Sequence, residues 1–376
     1  MAELATAHPP AIASQTLPTG ALFGDDRPWL TVMAAVAAIE LAWWTVTWSL
    51  GFAPAPFVFT YLALAWVGLA CAYALRRLLQ PRAASPNWPS IIAATTLVGV
   101  GASLFLPLKY AIPRLVPFWL DPPLAKAEKA MLGADPWLIL DHLLGWAAVP
   151  IDRLYALWLP TQSILLFSVM LQPSSAEKSR ALIAYVLAWF LLGVVAATML
   201  SSAGPIFYDR IFGGTAFAAL GETLRAHGAW LVLAESDRMW ASLATVRPGL
   251  AAGISAVPSI HVAICVWGFL VARTMVPRAA PYAFVYAVLI WIGSVQLGWH
   301  YIADGIAGAL GMLAIWPLAN MLQRYLEGKS VAADGRVDIF GMVDDRRADV
   351  ALADGSAGHL EHPLERHPRQ AHDLGA

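Results

Sequence analysis

Two histidines, one of them close to a carboxylate, are the side chains of this sequence most suited to catalysis. His261 follows the Pro258-Ser259 pair, and His300 precedes Asp304 by four positions. Residues four apart lie on one face of a helix, so Asp304 can accept the N–H of the His300 ring and fix its tautomer. Two imidazoles in this arrangement suit proton transfer and nucleophilic attack. The alternative is a polar pair that serves only to begin a helix.

The apolar chain between the two histidines predicts that both lie at one face of a membrane. About 20 helical residues cross a bilayer core of roughly 30 Å. The stretch from His261 to His300 is long enough for two such crossings, which would return the second ring to the level of the first. The composition also indicates a membrane protein, since 59% of the 376 residues are hydrophobic, 13% are charged and the mean hydropathy is +0.61.

Eight apolar segments predict an all-α integral membrane protein, a multi-span helical bundle with about eight transmembrane helices. They cover residues 29–50, 56–79, 89–112, 154–171, 181–202, 258–275, 282–297 and 301–322. Basic clusters follow segments two, six and eight and precede segment five, and they include Arg77, Arg180 and Arg278. With eight spans these clusters share one side of the membrane, which the positive-inside rule makes cytoplasmic. Both termini are then predicted to be cytoplasmic.

The opposite, non-cytoplasmic face is predicted to carry two long connections, residues 113–151 and 204–257. The first contains an apolar piece, 136–149, that is too short to span and suits the membrane interface. The second contains an amphipathic stretch, 216–243. Six residues predicted at this face are candidates for substrate binding. They are Lys109, Arg114, Gly204, Tyr208, Arg210 and Ser259.

An anion is the ligand that these candidates favour. Pro258 and Ser259 predict a helix start, where unpaired amides and the positive end of the helix dipole attract negative charge. Lys109 and Arg114 add cations at the same face, although alone they would also suit anchors that reach to lipid headgroups. An ionisable residue at the end of a span is a functional candidate, because its burial in lipid is costly without a partner.

Other ligand classes receive little support from the sequence. A net charge of -1 and the absence of a basic stripe give no reason to expect nucleic acid. No cofactor is predicted, and no cysteine or carboxylate has the spacing that would complete a structural metal site with the histidines. Two histidines on different spans could hold a haem, but Asp304 and the nearby cations suit an anion better. Glu40, an acid inside the first span, could bond a neighbouring helix or serve function.

These motifs resemble those of the type 2 phosphatidic acid phosphatase superfamily, and most closely those of its inositol phosphorylceramide synthase branch. The resemblance rests on Lys109-Tyr110-Ala111-Ile112-Pro113, Gly133-x-Asp135-Pro136-Trp137, Ala203-Gly204-Pro205, Pro258-Ser259-Ile260-His261-Val262-Ala263 and His300-x-x-x-Asp304. Phosphatase members place a Ser-Arg pair seven and six residues before the second histidine, with the arginine binding phosphate. Here those positions are Gly293 and Ser294, which resembles the transferase branch, where this arginine is also missing.

The resemblance implies a catalytic membrane domain with a six-helix core over residues 85–325. Two extra spans in 29–84 would precede it, with a cytoplasmic segment at 1–28 and a disordered cytoplasmic tail at 326–376. We expect a multi-pass protein of a bacterial inner membrane, with its active site on the non-cytoplasmic face.

The same resemblance implies metal-independent transfer of a phosphate-linked head group, such as inositol phosphate, from a phospholipid donor to a lipid-hydroxyl acceptor. His300, oriented by Asp304, would be the nucleophile, and His261 would carry the proton. Lys109 would bind the phosphate, with Arg210 or Arg114 as our own candidates for the missing guanidinium. A lipid phosphate phosphatase is the first alternative, and a non-catalytic transporter or lipid-binding scaffold is the second.

Overall fold

The structure is a computed structural model that describes residues 22–244 and 253–328. These residues are helical and contain no strand. The predictions for the segment 1–28 and the tail 326–376 fall almost wholly outside the described residues. Within them, the predicted all-helical membrane fold is confirmed.

The helices of at least five residues are numbered here in chain order. They are α1 (Arg27–Ser49), α2 (Val58–Leu79), α3 (Trp88–Leu115), α4 (Asp121–Leu132), α5 (Pro136–Leu144), α6 (Ala148–Ala156), α7 (Trp158–Met170), α8 (Ala176–Met199), α9 (Tyr208–Phe212), α10 (Ala218–His227), α11 (Trp230–Ala244), α12 (Ile260–Met275), α13 (Ala280–Gln296) and α14 (Ile302–Leu326). In the described residues, α1, α2, α3, α8, α13 and α14 are long and apolar enough to cross a membrane. The shorter apolar helices α7 and α12 occupy the fourth and sixth predicted spans.

The fourth predicted span is divided by a break at Leu157, between α6 and α7. Pro160 has no N–H to donate to the carbonyl of Ala156, and its ring would clash with that carbonyl in a continuous helix. Proline is tolerated in the first turn of a helix, so α7 begins two residues before it. The break lies between Tyr155 and Trp158, whose rings both pack on His261.

The central packing joins α8, α12 and α14, which contact one another in pairs. Trp267 of α12 is fully buried, and its indole N–H donates to the carbonyl of Ala181 on α8 at 2.8 Å. Gly308 of α14 lies against the start of α12, where a Cβ would come within 2.2 Å of the Ser259 carbonyl oxygen. A glycine at 308 therefore permits the close approach of α14 to the first turn of α12.

The connections predicted at the non-cytoplasmic face form short helices. The piece predicted at the interface forms α5, and the amphipathic stretch 216–243 forms α10 and α11, which are separated by Gly228 in a left-handed conformation. Asp152 of α6 accepts the N–H groups of Leu231 and Val232 in the first turn of α11, each at 2.9 Å. Such bonds satisfy amides that have no partner inside the helix. The short helices are thereby fixed to one another.

Candidate active site

His300 lies in the turn between α13 and α14 and is held by hydrogen bonds on its backbone and its ring. Its backbone N–H donates to the Ser294 carbonyl at 3.1 Å, and its Nδ1 lies 3.1 Å from Asp304 Oδ2. The same Asp304 oxygen accepts the backbone N–H of Tyr301 at 3.0 Å. Both His300 and Asp304 are buried. Nδ1 is engaged by the carboxylate, so Nε2 is the ring atom that can attack a substrate.

Ser259 places the start of α12 at the Nε2 atom of His300. Its Oγ is 3.2 Å from Nε2 and also accepts the Val262 N–H, at 3.4 Å, as the N-cap of α12. The Ser259 backbone N–H donates to the Asp304 carbonyl at 2.9 Å. A helix start attracts anions, so negative charge bound at Nε2 would lie near the positive end of α12.

His261 lies beside His300 and is held between two aromatic rings. The centroids of the two imidazoles are 5.8 Å apart, at 64°. Tyr155 stacks on the His261 ring with centroids 4.9 Å apart, and the Trp158 centroid lies at 4.1 Å. Nδ1 of His261 is buried and makes no hydrogen bond to any described residue. These contacts fix the orientation of a second imidazole next to the first.

Lys109 approaches this pair from α3. Its side chain is half-buried, and its Nζ lies 5.9 Å from the centroid of the Phe105 ring. Gly253 packs on its methylene groups, since a Cβ there would come within 2.7 Å of Lys109 Cβ. The Lys109 side chain is within range of electrostatic interaction with the His261 ring. A cation is thus positioned near His261.

The two predicted arginines have other partners. Arg114 donates from Nη1 to the Tyr110 carbonyl at 2.9 Å and lies 4.6 Å from the centroid of the Tyr110 ring. Arg210 forms an ion pair with Asp237 on the exposed surface and lies over Trp240. In the described residues, neither guanidinium has a hydrogen bond to His261 or His300.

The positions that hold a Ser-Arg pair in the phosphatase members serve packing in this chain. A Cβ on Gly293 would come within 2.9 Å of Ile151 Cγ2. Ser294 is fully buried, and its hydroxyl donates to the Trp291 carbonyl at 2.7 Å. The structure therefore has no guanidinium at this point of α13.

Gly204 supports the turn that carries His300. Its φ of +92° favours glycine, and a Cβ would lie 2.3 Å from the carbonyl oxygen of Trp299. The amides of Gly204 and Ala203 donate to the buried Asp121 carboxylate at 2.7 and 2.9 Å. Burial raises the pKa of the Asp121 carboxyl, and these hydrogen bonds oppose that effect. The Ala203-Gly204-Pro205 motif thus positions the backbone next to His300.

Tyr208 lies just beyond this motif, at the start of α9. Its ring packs against Phe212 and Phe217, with centroids 4.8 and 5.0 Å away. In the described residues, the structure gives its ring no contact with either histidine. Its role in substrate binding stays a prediction.

Glu128 of α4 is a site residue that the motifs did not indicate. Its Oε1 accepts the Ala303 N–H at 2.8 Å, and the Ile302 amide also lies near, so it caps the start of α14. Burial raises the pKa of the Glu128 carboxyl, while the helix amides lower it in part. The sequence did not indicate this role, because Glu128 lies in a charged stretch of a connection. The helix that it caps is 175 residues away in the chain, so the contact depends on the tertiary fold.

A small pocket reaches His300 from the side of α4 and α5. Its polar lining comes from Glu128, Asp135, Trp137, His300 and Tyr301, and the apolar lining includes Phe217 of the α9–α10 connection. Asp135 and Trp137 belong to the Gly133-x-Asp135-Pro136-Trp137 motif, which begins α5. The pocket is small, with space for about one water-sized group next to His300.

The described residues contain no group of three or more His, Cys, Asp and Glu side chains that could hold a metal ion. His227 instead pairs with Asp141, with Nε2 and Oδ1 3.0 Å apart, and the exposed His142 lies 2.7 Å from the Leu138 carbonyl through Nδ1. Cys71 and Cys265 are free thiols. The tail histidines lie outside the described residues.

The helical bundle, the paired imidazoles and the buried Asp304 carboxylate are typical of a membrane-embedded protein that transfers a chemical group. A family model described as the PAP2 superfamily matches residues 123–318, more than half of the chain. The chain belongs to this superfamily, and the predicted resemblance is confirmed at that level. Membership supports a phosphatase- or phosphotransferase-type activity on lipid phosphates. No curated protein and no solved structure matches the chain.

The match begins after Lys109, so His261, His300 and Asp304 lie inside it and Lys109 lies outside. The inositol phosphorylceramide synthase branch stays a prediction, and with it the acceptor of the transferred group.

Proposed function

We propose that this protein is a membrane-embedded lipid phosphotransferase that moves a phosphate-linked head group from a phospholipid to a lipid hydroxyl through a phosphohistidine. Inositol phosphate is the head group that we favour. The observation that carries the proposal is the environment of His300. Asp304 holds Nδ1, Ser259 and the start of α12 lie at Nε2, and His261 is next to the ring.

In the first half-reaction, Nε2 of His300 attacks phosphorus and forms a P–N bond. The bond from phosphorus to the oxygen of the departing diacylglycerol breaks, and protonated His261 gives that oxygen its proton. Asp304 balances the positive charge that develops on the His300 ring. The head group and its phosphate remain on the enzyme.

In the second half-reaction, the acceptor hydroxyl gives its proton to His261 as its oxygen attacks phosphorus. The P–N bond breaks, its electron pair returns to His300, and the head group leaves on the acceptor lipid. Lys109 and the start of α12 stabilise the charge on the other phosphoryl oxygens in both steps. Fixed cations and dipoles supply this stabilisation in our mechanism, so we propose that no divalent metal is required.

Gly293 and Ser294 favour transfer over simple hydrolysis. A phosphate monoester carries more charge than a diester, and the superfamily's phosphatase members meet it with the arginine that this chain lacks. Gly293 packs against Ile151 of α6 instead, and the Ser294 hydroxyl donates to the Trp291 carbonyl within α13. A less charged phosphodiester suits a site in which Lys109 is the nearby cation.

A lipid phosphate phosphatase is the second candidate, and superfamily membership favours it. The chemistry differs only in the second half-reaction, where water replaces the lipid hydroxyl. A non-catalytic transporter or scaffold is less consistent with a buried His300–Asp304 pair beside a second imidazole.

The active site is proposed to face the non-cytoplasmic side. α8 begins with Lys178 and Arg180 and ends just before Gly204, whereas α12 and α14 begin at the site and have Arg273 and Arg324 in their last turns. Each of these helices therefore has its basic end opposite the histidines. The positive-inside rule places such basic ends in the cytoplasm.

The proposal is tested with purified protein and phosphatidylinositol that carries ³²P in its head group, with and without ceramide or a diacylglycerol whose acyl chains differ from those of the donor. Label that moves to the added acceptor supports the transferase. Release of water-soluble labelled phosphate or inositol phosphate, with or without acceptor, indicates the phosphatase. If label remains on phosphatidylinositol in every reaction, the transferase is wrong, and the phosphatase is then tested with ³²P-phosphatidic acid, from which no release of phosphate would overturn it as well.

A further inference from the structure

Three buried polar atoms without a hydrogen bond of good geometry to any described residue belong to residues that line the pocket at His300. The hydroxyl of Tyr301 is one of them and lies close to the Asp121 carboxylate. The other two are Oε2 of Glu128 and Nε1 of Trp137. Glu128 is 7% exposed and Trp137 is 4% exposed. Buried polar groups in folded proteins are usually satisfied by protein or by water, so an acceptor and a donor left unpaired beside one pocket mark a place where a polar group of a ligand can bind.

The chemistry of the two atoms matches a hydroxyl group. A carboxylate oxygen only accepts hydrogen bonds, and an indole N–H only donates them. A hydroxyl does both, so one such group could donate to Glu128 and accept from Trp137. A phosphate oxygen could accept from Trp137 but would be repelled by the carboxylate.

The charge of the pocket also favours a neutral ligand. Asp135 is a second acid in the lining, and its carboxylate is paired with the exposed Lys129, with Nζ and Oδ2 3.1 Å apart. Glu128 has no basic partner among the described residues and is held by backbone amides. A polyol group is therefore accepted more readily here than a second phosphate.

The two residues are held firmly relative to the nucleophile. Oε1 of Glu128 is bonded to Ala303, three residues after His300, and Trp137 lies in the first turn of α5, next to the motif proline. A group bound between them would thus keep a fixed distance from the reacting phosphorus.

We infer that Glu128 and Trp137 form a specificity subsite that binds a hydroxyl of the donor lipid's phosphate-linked head group. This inference rests on the proposed phosphohistidine mechanism and names the substrate class of the same site. One hydroxyl of the head group would enter the small pocket beside His300, and the head group would remain attached to phosphorus in both half-reactions. Donors with a hydroxylated head group would be selected over donors with none.

The test measures covalent labelling of the protein without any acceptor, so only the donor is in question. ³²P-phosphatidylinositol and ³²P-phosphatidic acid are compared as donors for the wild type, Glu128→Gln and Trp137→Phe. Glu128→Gln keeps an oxygen to cap α14, and Trp137→Phe keeps an aromatic ring. Each variant should lower the ratio of labelling efficiencies, phosphatidylinositol over phosphatidic acid, about tenfold or more, because one hydrogen bond to the head group is lost.

Matched controls are Glu222→Gln in α10 and Trp146→Phe, both on exposed side chains of the same connections. The controls should keep the wild-type ratio. A ratio that stays constant in both site variants overturns the subsite, even if both donors react more slowly, since that pattern indicates a structural role. A ratio that changes only when acceptor is added assigns the residues to the acceptor and also overturns the inference.

Failure of the proposed function gives a different result. In that case phosphatidylinositol does not label the wild-type protein, whatever the state of the pocket. If Glu128→Gln is recovered only in aggregated form, Trp137→Phe alone decides, because its backbone and ring packing are retained.

Discussion

Ser259 and Asp304 are joined by a main-chain hydrogen bond of 2.9 Å that ties the start of α12 to the start of α14. The Asp304 side chain holds Nδ1 of His300, and the Ser259 side chain lies at Nε2. His261 is two residues after Ser259, so one junction between two helices sets the position of both imidazoles. The close approach of Gly308 to Ser259 supports that junction.

Substitution of each histidine should separate the two proposed roles. His300→Ala removes the nucleophile, so covalent label from a lipid phosphate and turnover should both be lost. His261→Ala removes the proton carrier, so a donor with a good leaving group should still label the protein while turnover collapses. Acid-labile ³²P on the purified protein is the measurement.

The matched control is His142→Ala, an exposed histidine outside the site, which should behave as the wild type. Normal labelling of His300→Ala together with no labelling of His261→Ala reverses the roles. Normal turnover in both folded variants excludes catalysis at this pair.

Asp304→Asn should lower turnover by roughly 100- to 10,000-fold while the fold is retained. The amide can donate to the His300 ring and favour the wrong tautomer, and it no longer balances the positive charge on that ring. Steady-state rates and a thermal unfolding curve in detergent give the two readouts. The exposed Asp25→Asn is the control, and equal rates for the two variants would contradict the assigned role of Asp304.

Covalent labelling should persist when divalent metal ions are removed. Lys109 and the start of α12 are proposed to supply the positive charge that a metal would otherwise provide. The measurement is labelling with ³²P-phosphatidic acid before and after treatment with EDTA, followed by dialysis. Strict dependence on added Mg²⁺ would count against the mechanism, and Lys109→Gln should lower labelling in either condition.

Local spacing was sufficient to predict part of this site. The spacing of His300 and Asp304 indicated their hydrogen bond, although His300 lies in the turn before α14 and not on one helical face with Asp304. The helix start at Ser259 follows from its Pro-Ser pair. The predicted spans also coincide with helices, because their apolar runs match the length of a membrane crossing. The fourth predicted span is shortened by the break at Leu157. The position of Pro160 is the physical reason for that break.

Contacts between distant segments could not be predicted in this way. Tyr155 lies in an apolar segment, and its ring packs on His261. The sequence of such a segment does not distinguish a ring that packs on His261 from one that faces lipid. Glu128 belongs to a charged stretch whose cap on α14 depends on the tertiary fold. Arg210 follows the Ala-Gly-Pro motif directly, yet its guanidinium pairs with Asp237. Side-chain direction in the connections is set by packing that the sequence pattern does not encode.

Residues near the histidines and residues at the basic helix ends should be labelled from opposite sides of the membrane. The labelling background is the protein with both of its cysteines replaced, Cys71→Ala and Cys265→Ala. A single new cysteine, Trp146→Cys or Arg278→Cys, is then added to it. An impermeant maleimide on intact cells should react with the cysteine at 146 and spare that at 278, since the positive-inside rule places Arg278 in the cytoplasm. Reaction at both positions after lysis is the control. The opposite pattern in intact cells would place the active site at the cytoplasmic face.

Gly204→Ala should destabilise the protein by about 2 kcal/mol or more and lower turnover with it. The backbone at 204 has φ +92° and ψ 162°, a region essentially restricted to glycine, and the new Cβ would meet the Trp299 carbonyl oxygen at 2.3 Å. Relief of that clash must move the turn that carries His300. Gly221→Ala is the control, because a Cβ there meets nothing within 4 Å and alanine favours its helix by up to ~1 kcal/mol. Thermal unfolding in detergent and the labelling assay together give the comparison. A Gly204→Ala protein as stable and active as Gly221→Ala would show that this turn does not position the nucleophile.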